Sequence, residues 1–376
     1  MITKKINPTF KILSMFGIIF VVAGHVSSSS FSLLFDWFPP YSFHLALFTF
    51  VSGYFFKEKD LDHFKDFIRK KVKNLLFPFF IWTFLYGLVA TLLHYFGFSM
   101  GESIGFKSFF ISSILDGHQF VYNLASWYVI PLFFIQIINF IIRKFFRKIG
   151  YTNEYKITFL YLIAGMVGIT MVYNGHDTGI YILLFRILFL LPCFQFGIVY
   201  KRCLEEKDTM KSFPYFGIVF LVQAVLLLLF NNLNYTVAWG NDFINGPIVP
   251  YLSAITGIAF WLRISKLLTP LLEKQKWMYE IANNTSSIMI HHVFSFFLCK
   301  TFLALLAKMT PFLSSFDMYA YKNDIWYYYY PNNISAFGFL YVLGAIFISL
   351  GIKKGTDFLW YEGKKKYKQI RNKLYI

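Results

Sequence analysis

Charged residues are scarce in this sequence, and acidic residues are the scarcest of them. Asp, Glu, Lys and Arg together make up 15% of its 376 residues, whereas an average soluble domain contains about 25%. That shortage excludes an ordinary soluble protein. The 57% of hydrophobic residues, with 22% aromatic residues, is typical of a membrane protein.

Cysteine is also rare, and the three that occur (Cys193, Cys203 and Cys299) are scattered. This number and spacing indicate neither a disulfide framework nor a metal cluster, so we expect no bound metal. A Pro-, Gly- or Ser-rich linker and an internal repeat are both missing. We therefore expect one integral-membrane domain over residues 1–376, with a basic cytoplasmic tail at 353–376.

What the sequence does contain is a series of apolar runs. A helix needs about 20 residues to cross about 30 Å of hydrocarbon, so the shorter runs have uncertain boundaries. We predict an all-α, polytopic membrane protein of about ten transmembrane helices, near residues 12–30, 41–56, 75–97, 124–142, 157–173, 180–200, 213–230, 248–264, 286–306 and 334–352. The first run has no convincing small-residue cleavage site, so we read it as a span and not as a signal peptide.

The basic residues predict the orientation. With both termini in the cytoplasm, the inner segments hold 31 of the 36 Lys and Arg residues, as the positive-inside rule requires. Orientation thus explains the net charge of +17, and we expect no nucleic-acid partner. The amphipathic inner loop 57–74 and the basic tail are predicted to lie along the inner lipid surface.

His25 is the most informative residue, because it follows an apolar run (ILSMFGIIFVVAG) within the first predicted helix. An imidazole in hydrocarbon costs free energy unless it faces a partner or a wet cavity, and it exchanges protons near neutral pH. Ser14 and Lys11 fall on the same helical face, about 16 and 21 Å away by helical rise. We predict a polar stripe that leads from the inner end toward His25.

Further polar residues lie in or between the apolar runs. Arg186 must face a carboxylate, carbonyl groups or water, unless it reaches the outer interface. His291 and His292 are adjacent, so only one of them is expected to face the helix bundle. The outer-loop pairs Asp116/His118 and His176/Asp177 lack the spacing of a metal site and the Ser of a triad, and we expect them to be solvated.

Four outer tryptophans admit two interpretations. They are suited to stacking on sugar rings, and they equally fit an interfacial aromatic belt. They are Trp37, Trp127, Trp239 and Trp326.

Six motifs, in order along the chain, resemble those of the integral-membrane acyltransferase-3 family, whose members acetylate sugars of capsules, lipopolysaccharide and peptidoglycan. They are GIIFVVAGH ending at His25, FHLALFTFVSGYFF (43–56), IRKKVKNLLFPFFIW (68–82), SWYVIPLF (126–133), LPCFQFG (191–197) and NNTSSIMIHH (283–292). Many family members carry Arg, or Lys in the capsule-type branch, eleven residues before the first-helix His. Here that position is Ser14, and Lys11 is the candidate replacement.

The resemblance implies site residues and a donor. Acetyl-CoA would supply the acyl group from the cytoplasm, with no permanently bound cofactor, and His25 would act as base or transient acyl carrier. Arg186 would stabilise the oxyanion or hold an acidic acceptor. His292 is favoured over His291, near the inner end on the donor side and apart from His25; a lipid-facing histidine is the alternative.

The resemblance also implies binding residues at the two ends of the site. The cations predicted to clamp coenzyme A phosphates are Lys11, Arg69, Lys70 and Lys73, although they would equally serve only to orient the helices. His44 and Trp127 are the predicted substrate-binding residues.

We therefore predict an O-acetyltransferase of the bacterial cytoplasmic membrane that acts on a cell-surface polysaccharide or its lipid-linked precursor. The chain lacks the C-terminal hydrolase-like domain of some relatives, so it either transfers directly or relies on a separate transferase partner. Two alternatives remain: a transporter of a polysaccharide or acyl compound, for which intramembrane His and Arg serve equally well, and a non-catalytic subunit of a glycan assembly complex.

Overall fold

The structure is a computed structural model that describes residues 7–26, 32–230 and 232–374. Over these residues it contains helices and no β-strand, which confirms the all-α prediction. Each predicted apolar run corresponds to one helix; residues 27–30 of the first run lie outside the described part. The ten helices are α1 (Pro8–Gly24), α2 (Pro40–Tyr54), α3 (Phe77–Tyr95), α4 (Val129–Lys148), α5 (Glu154–Tyr173), α6 (Ile180–Val199), α7 (Ser212–Leu229), α8 (Val249–Leu272), α9 (Thr285–Met309) and α10 (Gly338–Leu374).

Shorter helical segments connect these ten. The α-helical ones are Ser32–Trp37, Phe64–Lys71, Ser113–Leu115, Lys276–Asn283 and Met318–Asn323. The 3₁₀ turns are Glu58–Asp62, Leu124–Tyr128, Glu205–Lys207, Pro311–Leu313, Pro331–Asn333 and Ser335–Phe337, and the π-helical turns are Val72–Leu76, Lys107–Ser112 and Tyr200–Leu204.

Eight of the ten helices, from α3 to α10, are long and apolar enough to cross a membrane. The other two, α1 and α2, have 17 and 15 residues, or about 26 and 23 Å of helical rise. They are shorter than the hydrocarbon core of about 30 Å. His25 directly follows the outer end of α1, and His44 lies near the outer end of α2.

Helix α1 lies inside the bundle, in contact with α2, α8, α9 and α10. Next to it, α2 crosses α6 closely, because a Cβ on Gly53 would collide with the carbonyl group of Phe194, and one on Gly197 with that of Phe50. Small residues that let two backbones approach are characteristic of packed membrane helices. Gly53 and Gly197 therefore allow α2 and α6 to pack closely.

The inner loop 57–74 is largely helical, and part of its apolar surface is covered by protein. Leu61 and Phe67 are buried against Phe140 of α4. Arg147 of α4 also forms an ion pair with Asp62, 2.6 Å apart. This loop therefore packs on α4 through Leu61 and Phe67, while Phe64 and Val72 stay exposed.

A buried ion-pair network joins the inner ends of α4, α5 and α6. Glu154 Oε2 accepts from Arg143 Nη2 at 2.7 Å, and Glu154 Oε1 from Arg202 Nη1 at 2.6 Å. Gln195 donates to Glu154 Oε2 at 2.9 Å. Because buried charges need partners of this kind, the network fixes the three helices relative to one another.

Candidate active site

His25 lies at the end of α1, where the carbonyl groups of the last turn have no helical partners. Asn7 begins the helix by accepting from the backbone N–H of Phe10 at 3.3 Å, and His25 is its C-terminal cap. The helix therefore ends one residue before His25, which the sequence analysis places within the first predicted helix. Helix α1 begins at Pro8, four residues before the predicted apolar run, and ends at Gly24. His25 therefore lies just beyond the last helical residue.

The hydrogen bonds of His25 define its tautomer. Its Nδ1 lies 2.6 Å from the carbonyl oxygen of Val21 and 3.3 Å from Nε2 of His292. A carbonyl oxygen only accepts, so Nδ1 carries the hydrogen and Nε2 carries the free lone pair. That lone pair is what a base or a nucleophile requires.

His292 supports this arrangement from α9. Its Nδ1 lies 2.9 Å from the carbonyl oxygen of Met289 and 3.1 Å from that of Ile288, so its Nε2 is the nitrogen that accepts from His25. The ring is fully buried. A lipid-facing His292 is thereby excluded, and His25 gains an acceptor for its Nδ1 hydrogen.

The prediction that His292 lies near the inner end and apart from His25 is wrong. The helix Lys276–Asn283 packs on α1, and Lys11 Nζ reaches upward to Asn283 Oδ1 at 2.6 Å. Helix α9 therefore begins about one lysine side chain away from the backbone of Lys11. The adjacent His291 faces elsewhere, with its Nδ1 2.7 Å from the hydroxyl of Tyr86.

Aromatic side chains surround His25 on its outer side. Trp326 stacks on the imidazole, with ring centres 5.5 Å apart and planes 10° apart, and the hydroxyl of Tyr328 donates to the carbonyl oxygen of His25 at 2.7 Å. These rings line an open cleft of about 490 Å³, a volume within the range of small-molecule sites. The lining residues are Gly24, His25, Val26, Tyr41, Trp326, Tyr327, Tyr328 and Tyr330.

A fully buried lysine holds the aromatic loop in place. Lys300 of α9 donates from Nζ to the carbonyl oxygen of Ile325 at 2.6 Å, and Nζ lies 5.3 Å from the ring centre of Tyr328. The sequence analysis assigns no role to Lys300, although Lys300 is the only Lys or Arg in the apolar run 286–306 and is conspicuous there.

His44 belongs to the same cluster of side chains. His44 is 4% exposed, and its Nδ1 lies 2.5 Å from the carbonyl oxygen of Pro40. Its ring meets the ring of Tyr41 edge-on, with ring centres 5.2 Å apart. Tyr41 also meets the ring of His25, with ring centres 6.3 Å apart, and so lies between the two histidines. The contact of His44 with Tyr41, which lines the cleft, supports its predicted substrate-binding role.

Arg186 and Trp127 form one buried unit beside the outer loops. Arg186 is 1% exposed. Its guanidinium donates to the carbonyl oxygens of Asp116 (2.9 Å), Leu115 (3.3 Å) and Ala238. Its Cζ lies 4.5 Å from the ring centre of Trp127. The prediction that Arg186 faces carbonyl groups is confirmed. Trp127 is 4% exposed, so it offers no open face to a sugar. The other three of the four outer tryptophans, Trp37, Trp239 and Trp326, are exposed.

The expectation that the pair Asp116/His118 is solvated is wrong for His118. The side chain of Asp116 is 49% exposed, but that of His118 is only 4% exposed. The ring of His118 stacks on that of Trp239, with ring centres 3.9 Å apart. His118 Nδ1 donates to Asp116 Oδ1 at 3.1 Å. This hydrogen bond lowers the pKa of Asp116, while burial lowers the pKa of His118 below its usual value.

The cations predicted for the donor lie at the inner end of the bundle. Arg69, Lys70 and Lys73 are exposed, and Lys11 is half-buried beside Asn283. Ser14 donates to the carbonyl oxygen of Phe10 at 2.7 Å and brings no charge to the site. Among the described residues no group of three or more His, Cys, Asp or Glu side chains is placed to hold a metal.

A family model described as an acyltransferase domain matches residues 11–354 of the chain. The match spans α1 to α10, including every residue of the arrangement described above. No curated protein and no solved structure gives a match.

Proposed function

The chain belongs to the acyltransferase-3 family, and from that premise we propose that it moves an acetyl group from cytoplasmic acetyl-CoA to a hydroxyl of a cell-surface polysaccharide or its lipid-linked precursor. It is a multi-pass membrane acyltransferase. The acetyl group, the coenzyme A donor, the glycan acceptor and the bacterial cytoplasmic membrane are parts of the proposal.

The orientation of His25 is the observation that carries this proposal. Its Nε2 lone pair is free, its Nδ1 hydrogen is held by Val21 and His292, and its ring lines an aromatic cleft. A protonated alcohol is a poor nucleophile, so acyl transfer needs a group of this kind as base or as acyl carrier. The flat rings of the cleft suit the C–H faces of a sugar.

The remaining predicted residues supply the surroundings of this step. His292 accepts the Nδ1 hydrogen of His25 and so stabilises a positive charge on that ring. At the inner end, Arg69, Lys70, Lys73 and Lys11 suit the phosphates of coenzyme A. Arg186 would act through the loops that it holds.

Purified protein in liposomes provides the test, with radiolabelled acetyl-CoA and polysaccharide extracted from a strain that lacks this protein. We expect alkali-labile label on the polysaccharide, and a loss of about 100- to 10,000-fold in the His25→Gln variant, the usual contribution of a positioned base. His176→Gln, an exposed outer-loop histidine, is the matched control and should keep wild-type activity.

Two outcomes contradict the proposal. Polysaccharide that crosses the liposome membrane without gaining label indicates the transporter. Surface acetylation that persists in cells carrying His25→Gln indicates a non-catalytic subunit.

A further inference from the structure

Trp326 is held next to His25 by the hydrogen bonds of its own loop. The backbone N–H of Trp326 donates to Asp324 Oδ1 at 2.8 Å. The carbonyl oxygen of the preceding residue, Ile325, accepts from the buried Lys300 at 2.6 Å. Together with the stacking contact between the two rings, these bonds give the indole a defined position relative to the imidazole.

The indole and the imidazole overlap only in part. Their planes are 10° apart and their ring centres are 5.5 Å apart, whereas parallel rings that overlap fully would lie about 3.5–4 Å apart, the optimal distance between carbon atoms. Part of the indole therefore extends beyond His25. Trp326 is 42% exposed and lines the same cleft as His25, so that part is open to a ligand.

The open edge of the imidazole is the edge of Nε2. The Nδ1 edge faces Val21 and His292, and the lone pair of Nε2 lies in the ring plane. A flat ligand that stacks on the same face of the indole as His25 lies level with the imidazole and places its rim beside Nε2. Pyranose rings have this shape, because they carry C–H groups on their faces and hydroxyl groups around their rim.

The lining of the cleft favours an uncharged ligand. Among the described residues, eight line the cleft, and none of these is Asp, Glu, Lys or Arg. Arg186 and Lys300, which are buried near the outer loops, donate to backbone carbonyl oxygens. The exposed charged group next to Trp326 is the carboxylate of Asp324. An anionic sugar in the cleft would lose water without gaining a cation, which costs free energy, and would lie near a like charge.

Resting on the function proposed above, we propose that the cleft takes an uncharged pyranose residue of the acceptor, which stacks on Trp326 and presents a hydroxyl group to His25 Nε2. Trp326 is then a positioning residue, which determines the sugar residue that is acetylated.

Steady-state kinetics of Trp326→Ala and Trp326→Phe test this role. The full-length protein in detergent is assayed with radiolabelled acetyl-CoA and the extracted polysaccharide, and the concentration of each is varied in turn. In Trp326→Ala we expect KM for the polysaccharide to rise about 5- to 30-fold, as for the loss of one apolar contact. The rise should be smaller in Trp326→Phe, which keeps an aromatic ring. KM for acetyl-CoA should stay at the wild-type value in both variants.

Trp37→Ala is the matched control. Trp37 is also 42% exposed, but it lies outside the lining of the cleft, so this variant should keep both KM values. Melting temperatures report whether the variants are folded. If Trp326→Ala does not fold, Trp326→Phe decides alone, with a raised KM for the polysaccharide as the expected result.

Two kinetic outcomes overturn the inference. A lower kcat with an unchanged KM for the polysaccharide shows that Trp326 only orients His25. An equal rise of the KM for acetyl-CoA shows a general disturbance of the site. Wild-type protein that forms no ester at all instead overturns the proposed function.

The position of the label tests the charge of the acceptor residue. Polysaccharide labelled by the wild-type protein is partially hydrolysed, and its fragments are separated by anion exchange and identified by mass spectrometry. We expect the ester on a neutral sugar residue. An ester on a uronic acid, on a phosphorylated sugar or on a sugar with a free amine overturns the inference.

Discussion

At the scale of single residues, Lys300 is expected to control acceptor binding although it does not face the cleft. Lys300→Met removes the donor to the carbonyl oxygen of Ile325 and leaves that buried acceptor unpaired, at a cost of about 1–3 kcal/mol. The loop that carries Trp326 and Tyr328 should loosen from His25. We expect a raised KM for the polysaccharide and a lower melting temperature.

Lys308→Met is the matched control, since Lys308 lies on the same helix but is exposed. It should leave both quantities unchanged. If Lys300→Met behaves like this control, Lys300 does not hold the aromatic loop.

Single polar residues within apolar runs were predictable, because hydrocarbon makes each of them conspicuous. His44, Arg186 and His292 are buried in the structure, and His25 lines the aromatic cleft. His118 was not predictable in this way. It lies in a loop with no periodic pattern, and its burial depends on Trp239, a residue far along the chain.

At the scale of helices, the contact between α2 and α6 leaves no room for a side chain. Gly53→Ala or Gly197→Ala places a methyl group against the backbone of the opposite helix, and such overpacking costs about 1–3 kcal/mol. We expect a lower unfolding temperature in detergent, followed by circular dichroism.

Gly217→Ala is the control for these variants, because no atom lies within 4 Å of the position of its Cβ. Alanine there should be neutral or slightly stabilising, as Ala favours helix over Gly by about 1 kcal/mol. Equal unfolding temperatures for all three variants would contradict close packing at Gly53 and Gly197.

Apolar runs indicate where helices occur, but not how deep in the bundle each one begins. The run near residues 286–306 predicted α9 closely, yet the depth of His292 depends on the preceding helix Lys276–Asn283 and its contact with α1. Likewise, the cap at Asn7 and the end at Gly24 decide where His25 lies. Such offsets arise from packing between segments distant in sequence.

At the scale of the whole molecule, the two ends of α1 separate two kinds of chemistry. The exposed cations of the inner segment lie at one end, and the aromatic cleft around His25 lies at the other. Lys11 and His25 are about 21 Å apart along the helix. An acyl donor bound by the inner cations must therefore extend through most of the membrane to reach His25.

Site-directed labelling tests the orientation that this route requires. Single cysteines replace Lys107 or Lys365, both exposed, in a variant whose Cys193, Cys203 and Cys299 are changed to Ser. Intact cells are treated with a membrane-impermeant maleimide, and labelling is repeated after permeabilisation. Because the positive-inside rule predicts that the basic segments face the cytoplasm, Lys107→Cys should label in intact cells and Lys365→Cys only after permeabilisation. The reverse pattern would place His25 near the cytoplasmic surface, and cytoplasmic acetyl-CoA would then meet the aromatic cleft directly, without the inner cations.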